Sequence, residues 1–227
     1  MVAHRGCSGL ERENTNAAFV AAGNRSYFGI ETDIHKTLDG KFIIIHDDTT
    51  KRVAVDNLCV EESTYDTLRQ LILLQKDEKK GRTDLRLPNL EEYIGICKYY
   101  EKIAVLELKN HMETEDVYAI CDAIEEMDYM DGVIFISFDL ENLIYLKEKY
   151  PKQAAQYLFM EMTEEIYAKL LQYGLDVDIH YKGLSKELVD RCHSDGIKVN
   201  CWTCDKAEDA EVLIEYGVDY ITSNILE

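Results

Sequence analysis

One rhythm runs through this chain: a short β-rich run, then a longer amphipathic stretch, again and again. The β-rich runs are 2–4, Gly29–Ile34, Ile103–Leu108, Gly132–Phe138, Ala154–Phe159, Leu175–His180, Ile197–Trp202 and Val218–Thr222. The later intervals carry helical periodicity, at Asn89–Tyr100, Glu113–Met127, Leu140–Lys149, Thr163–Tyr173, Ser185–Ser194 and Lys206–Tyr216. Thr163 and Ser185 offer N-cap hydroxyls. Gly174, Gly196 and Gly217 stand where a left-handed residue ends a helix. Strands that alternate with helices assemble into a parallel sheet. Eight β-rich runs in 227 residues predict an α/β fold of the (β/α)8 TIM-barrel type rather than an open doubly wound sheet. One domain spanning 1–227 is expected. The rhythm breaks once, roughly over residues 47–88, where a charged segment reads as a small helical insertion after the second strand. Only a few residues follow the last strand, so no full eighth helix is encoded.

Composition narrows the partners. Lys and Arg number 25 against 44 Asp and Glu, a formal net charge of −19. Nucleic acid needs a basic face, and anionic membranes attract polybasic segments, so neither is expected as a partner. No apolar run approaches the ~20 residues that span a bilayer. The 7 cysteines are an odd number with no signal peptide before them. Reduced, mostly buried thiols in a cytoplasmic protein are therefore expected. Cys201-x-x-Cys204 has redox spacing, but Cys201 falls in a strand and the pair reads as structural.

A barrel's active site lies at the C-terminal ends of its strands. Those ends here carry His4-Arg5-Gly6, Glu31-Thr32-Asp33, Glu107-Leu108-Lys109 and Trp202. Alternate residues of a strand share a face, so Glu31 points with Asp33 and Glu107 with Lys109. Three carboxylates converging in a barrel mouth repel one another unless a cation lies between them. An all-oxygen set selects a hard ion, Mg²⁺ or Ca²⁺, over Zn²⁺. The bland alternative is that each acid is a solvated strand end or a partner of Arg5 or Lys109.

Asp39-Gly40 between two β-rich runs signals a hairpin. A two-residue loop there pairs Leu38 with Lys41 and sets His46 across from Asp33, on the same face. His35 lies one step beyond Asp33 on that face. His111 falls on a loop at the site's rim. His180 and His193 have no supporting context. The 15 tyrosines are spread along helices and read as packing.

Together these residues resemble the glycerophosphodiester phosphodiesterase family of the phosphatidylinositol-phospholipase-C-like superfamily. The resemblance rests on His4-Arg5-Gly6, Glu13-Asn14-Thr15, Glu31-Thr32-Asp33 with Thr37, Asp39-Gly40, His46-Asp47, Glu107-x-Lys109, Ser137-Phe138, Trp202-Thr203 and Gly217-Val-Asp219, in that order over the whole chain. It implies a metal-dependent phosphoric diester hydrolase acting on small glycerophosphodiesters, releasing sn-glycerol 3-phosphate and an alcohol. It further implies His4 and His46 as the acid–base pair and Glu31, Asp33 and Glu107 as ligands of a divalent metal. Arg5 and Lys109 would contact phosphate, and Trp202 would line the substrate pocket. Attack by the neighbouring glycerol hydroxyl, then opening of a cyclic phosphate by water, is the implied reaction course.

Two departures stand out. Arg12 replaces the family's usual Pro before Glu-Asn-Thr, and Thr222-Ser223-Asn224-Ile225 replaces a Thr-Asp run with a Pro. Both are expected to touch loop shape and substrate preference, not the reaction. A lysophospholipase D-like enzyme and a non-catalytic glycerol-phosphate binder are the alternatives. The polar run Lys76–Lys80 speaks against the first, and the intact histidines and carboxylates against the second. A homodimer is compatible with a flank left bare by the short C-terminal segment.

Overall fold

The computed structural model describes all residues, Met1–Glu227. Eight parallel strands close on themselves: β1 (Val2–Ala3), β2 (Gly29–Lys36), β4 (Ile103–Leu108), β5 (Val133–Ser137), β6 (Ala155–Phe159), β7 (Asp176–His180), β8 (Val199–Trp202) and β9 (Tyr220–Ser223). Closure comes from β1, which pairs with β2 on one side and β9 on the other. This is the TIM barrel that the β-rich runs predicted. A ninth strand, β3 (Phe42–Ile44), hangs antiparallel on the outer end of β2.

Helices follow the strands and cover the barrel: α1 (Asn16–Gly23), α3 (Leu90–Tyr99), α4 (Thr114–Glu126), α5 (Leu140–Lys149), α6 (Glu164–Tyr173), α7 (Lys186–Ser194) and α8 (Ala207–Tyr216). Side chains cap the starts of α1, α3, α5, α6 and α7, while Glu113 before α4 and Lys206 before α8 make no cap bond. Thr163 accepts from Ile166 N–H and Ser185 from Leu188 N–H. Asn89 and Glu92 complete a reciprocal capping box on α3. The apolar helix faces and the outward strand residues form one large core, including Phe19, Tyr93, Leu106 and Phe135.

The segment after β3 is less helical than expected. It contains one short helix, α2 (Tyr65–Gln70), a 3₁₀ turn at Thr50–Arg52, and otherwise irregular chain. Its apolar residues, including Val60, Leu68, Leu73 and Leu85, make a separate small core with Ile43 and Ile45. Three cations tie it to the β1–α1 loop. Arg12 Nε donates to Leu74 O at 2.6 Å, Lys76 Nζ to Gly9 O at 2.6 Å, and Arg82 pairs with Glu11.

The hairpin register differs from the expected one by a residue. Ile34 pairs with Ile44 and Lys36 with Phe42, so the loop is Leu38-Asp39-Gly40 between Thr37 and Lys41. A two-residue type I′ loop needs positive φ at both central residues. Here Gly40 has φ +74° while Asp39 is not left-handed, which yields a three-residue loop instead. Asp33 therefore faces Ile45, through a bond from Ile45 N–H to Asp33 O.

Candidate active site

The mouth of the barrel holds a cavity lined by His4, Arg5, Glu31, His46, Glu107 and Trp202. Asp33, fully buried, lies against it through Arg5 Nε at 3.8 Å and Lys109 Nζ at 3.7 Å. His4, Arg5, Glu31, Asp33, His46, Glu107, Lys109 and Trp202 thus converge. His46 reaches the site although the register that led to it was wrong. The chain leaves β3 at Ile44, and His46 enters from the loop beyond. Its carbonyl faces the buried ring of His35, Nε2 to O 3.3 Å.

Local backbone aims the first group. Arg5 (φ +54°) and Gly6 (φ +74°) are both left-handed, so the chain doubles back directly after His4. That turn points Arg5 N–H at Glu31 Oε2, 2.8 Å away, and Gly6 N–H at the Glu31 carbonyl. A Cβ on Gly6 would lie 2.7 Å from the Ala18 backbone, so only glycine fits. Asn14, also left-handed, donates to Asp33 Oδ2 at 2.7 Å and accepts from Thr32.

Glu31, Asp33 and Glu107 bring carboxylate oxygens within 4.8 Å of one another, all buried. Burial, and then the Asp33 charge, push the Glu31 carboxyl well above its usual range. The same two causes push Glu107 up to about 8. Burial works against Asp33 too, but the Arg5, His46 and Lys109 charges and the Asn14 bond hold it low. Lys109 donates to Glu107 Oε1 at 2.8 Å, yet Asp33 Oδ1 has no hydrogen-bond partner in the protein. A buried, oxygen-only trio with one oxygen unpartnered fits a hard divalent cation.

The two histidines are held differently. His4 Nδ1 meets Asn224 Oδ1 at 2.8 Å, and Asn224 is oriented by its own amide, which donates to Asp205. Nδ1 of His4 therefore carries a proton, and Nε2, 4.0 Å from Glu31 Oε2, is left unprotonated toward the site. Burial, then the Arg5 charge, push His4 down to about 4. His46 Nδ1 bonds a carboxylate instead, Asp47 Oδ1 at 2.6 Å. Asp47 is gripped by Arg52, Nε to Oδ2 2.7 Å, and Arg52 also bonds Glu13, which accepts from Arg5 at 2.8 Å. One chain of charge-assisted bonds thus runs from His46 round to Arg5.

Ile136, Phe138, Leu158 and Trp202 make an apolar wall, with Phe138 and Trp202 edge-on at 5.6 Å. Asp178 lies among them. The sequence reading passed over Asp178, and also Asn224, Asp47 and Arg52 as supports. The available signal for Asp178 was the alternation Asp176, Asp178, His180 within an apolar run. Asn224 is a correction: the C-terminal departure was expected to leave the reaction alone, and it holds His4. His111 bonds Asp139 and lines the rim with Lys109, as expected. His193 pairs with Asp219 on the surface, and His180 packs on Trp202. All seven cysteines are free, all but Cys59 buried, and burial raises the Cys201 thiol. No helix is long and apolar enough to cross a membrane.

Comparison with known proteins agrees with this geometry. Residues 4–226 match the glycerophosphoryl diester phosphodiesterase family. A glycerophosphodiester phosphodiesterase of Caldanaerobacter subterraneus subsp. tengcongensis is 29% identical over 99% of this chain and 93% of its own. An Oleispira antarctica phosphodiesterase, solved with the product sn-glycerol-3-phosphate, superposes with TM-score 0.91 at 25% identity, covering 98% of this chain and 92% of the other. A Thermotoga maritima glycerophosphodiester phosphodiesterase superposes at 0.78, also with 25% identity, over 98% of this chain and 93% of its own. A closed barrel with this site at its mouth and a family match across almost the whole chain lead to one conclusion: the chain belongs to the glycerophosphoryl diester phosphodiesterase family and is an enzyme of that type.

Proposed function

We propose that this enzyme hydrolyses water-soluble glycerophosphodiesters to sn-glycerol 3-phosphate and an alcohol, with His4 and His46 exchanging the protons. The observation that carries this reading is the convergence of two differently held histidines, a buried carboxylate trio and two cations on one cavity. The product bound by the Oleispira antarctica relative supports the glycerol half of the substrate. Residues 1–227 are proposed to act as one unit, with roughly 47–88 covering the site's edge and supplying Arg52.

Glu31, Asp33 and Glu107 would hold Mg²⁺ or Ca²⁺, which would supply charge stabilisation to the phosphate and a lowered pKa to the neighbouring glycerol hydroxyl. Arg5 and Lys109 neutralise the phosphate as charge grows on it. His4, neutral and backed only by an amide, accepts the proton of the attacking glycerol hydroxyl at Nε2. Burial, with the Arg5 and Lys109 charges, lowers the His46 pKa, against which the Asp33 charge and the Asp47 bond work. The Asp47 carboxylate steadies the imidazolium as His46 donates a proton to the leaving alcohol. The roles then reverse. Neutral His46 takes a proton from water, and protonated His4 returns one to the glycerol oxygen as the cyclic phosphate opens. Trp202 and Phe138 pack against the carbon skeleton.

A panel of glycerophosphodiesters assayed for glycerol 3-phosphate release tests this. Release from at least one of them, lost in His4→Ala and His46→Ala by roughly 10²–10⁴ in kcat, is the expected result. Full turnover in either variant would remove the acid–base assignment.

A further inference from the structure

Asp178 is an acid inside the barrel with no use in the scheme above. It is 2% exposed, and its Oδ1 has no hydrogen-bond partner in the protein. The Trp202 indole N–H reaches its carbonyl oxygen at 3.4 Å rather than its carboxyl. Asn200, its register partner on β8, is already engaged with Gln156 and Thr222. On β6 its register partner is Leu158. A buried carboxyl left unpaired destabilises the fold that holds it. A barrel with no need of it would carry an aliphatic side chain there, as it does at Ile136 and Leu158.

The position gives the acid a task. Counting round the closed barrel, β7 lies four strands from β2 in either direction, so Asp178 stands across the cavity from Glu31. A glycerophosphodiester that places its phosphate and adjacent hydroxyl against Arg5 and the carboxylates has one polar group left over on its glycerol half. We propose that Asp178 is a specificity-determining residue that hydrogen-bonds the terminal hydroxyl of the glycerol moiety. This rests on the function proposed above and deepens it: the substrate class is diesters of an intact glycerol, and the alcohol half points outward.

A hydroxyl suits this acid better than the ammonium of a choline-like alcohol. Burial, and then the Glu107 charge, hold the Asp178 carboxyl well above its usual range. A carboxyl in that setting hydrogen-bonds a hydroxyl in either protonation state, whereas a quaternary ammonium offers it no hydrogen bond.

The test compares glycerophosphocholine with its analogue lacking the terminal hydroxyl, propane-1,2-diol 1-phosphocholine, by choline release. The wild type should favour the hydroxylated diester by roughly 10²-fold or more in kcat/KM, because the analogue leaves a buried polar group unpaired. Asp178→Ala, or Asp178→Leu should the first variant fold poorly, should lose that preference. The loss should fall on the hydroxylated diester and spare the analogue. Removing an unpaired buried acid should also leave Tm of the free protein unchanged or raise it. A variant that slows both diesters equally, or keeps the wild-type preference, overturns the proposal. Equal wild-type turnover of the two diesters overturns it while leaving the proposed function intact. No release from any glycerophosphodiester overturns both.

Discussion

His4 Nδ1 and Asn224 Oδ1 lie 2.8 Å apart, so a neutral amide rather than a carboxylate stands behind this histidine. Burial, and then the Arg5 charge, outweigh what that bond and the Asp33 charge give back, and His4 is pushed down to about 4. As a base in its neutral form, His4 stays competent well into the acidic range. In Asn224→Asp a carboxylate would face the ring, stabilise the imidazolium and raise the pKa. The acid limb of the kcat/KM profile should then move to higher pH by about one unit or more. An unmoved limb would mean that His4 is not the group whose protonation stops the reaction.

The other histidine has the opposite support, which Asp47→Asn examines. Asp47 holds His46 Nδ1 and is itself held low, chiefly by its bonds from Arg52. An amide there keeps a hydrogen bond but removes the charge that favours the imidazolium, and it permits the wrong tautomer. We expect kcat to fall by roughly 10–10³ with little change in KM. A rise in KM at constant kcat would instead place Asp47 in substrate binding.

Much of this arrangement was legible in the sequence because its grammar is local. Eight β-rich runs located the barrel strands to within a few residues, and period two placed Glu31 with Asp33 and Glu107 with Lys109. What was not legible depends on geometry beyond the strand. Asp-Gly serves both two- and three-residue hairpin loops, and only the backbone of Asp39 decides between them. His46 enters from a loop, so no register could have located it. Asn224 and His4 are 220 positions apart and meet only because β9 pairs with β1. Helix α1 was missed as well, although Thr15 is its N-cap and Asn14 supports Asp33.

Gly6→Ala should unsettle the fold and the site together. The new Cβ requires a left-handed alanine and meets the Ala18 backbone at 2.7 Å. Left-handed strain and overpacking against backbone together predict a loss of about 2–5 kcal/mol. For a chain of this size that lowers Tm by about 5–15 °C in thermal unfolding. A Tm within a degree of wild type would show that the His4-Arg5-Gly6 turn relaxes freely.

The carboxylate trio predicts a metal response that does not depend on turnover. Chelator-treated protein should gain Tm when Mg²⁺ or Ca²⁺ is added, by about 2.7 kcal/mol of stabilisation at a hundredfold excess over Kd. Chelation should also abolish hydrolysis. Glu107→Gln removes one carboxylate ligand from the trio and should flatten the Tm response. A chelated enzyme with full turnover and no thermal response would assign the trio to ion pairing with Arg5 and Lys109 alone.

Arg12, directly before Glu13-Asn14-Thr15, uses its side chain to bind the segment after β3. Nε donates to the Leu74 carbonyl, and Nη2 to that of Gln75. These bonds, with Lys76 on the Gly9 carbonyl, hold the irregular chain after Leu73 against the β1–α1 loop that presents His4 and Arg5. The small core beneath contains Leu73 and Leu85, but the chain between them has little apolar anchorage of its own. A charged hydrogen bond contributes about 1.5–3 kcal/mol when buried, and less here because Arg12 is only half-buried. Arg12→Ala should therefore act locally. Amide hydrogen exchange should quicken across residues 72–85 by about tenfold, the equivalent of roughly 1.4 kcal/mol, while exchange in the barrel strands stays as it was. Thermal unfolding should shift by only a few degrees. Unchanged exchange in that segment would mean that Lys76 and Arg82 hold it without Arg12.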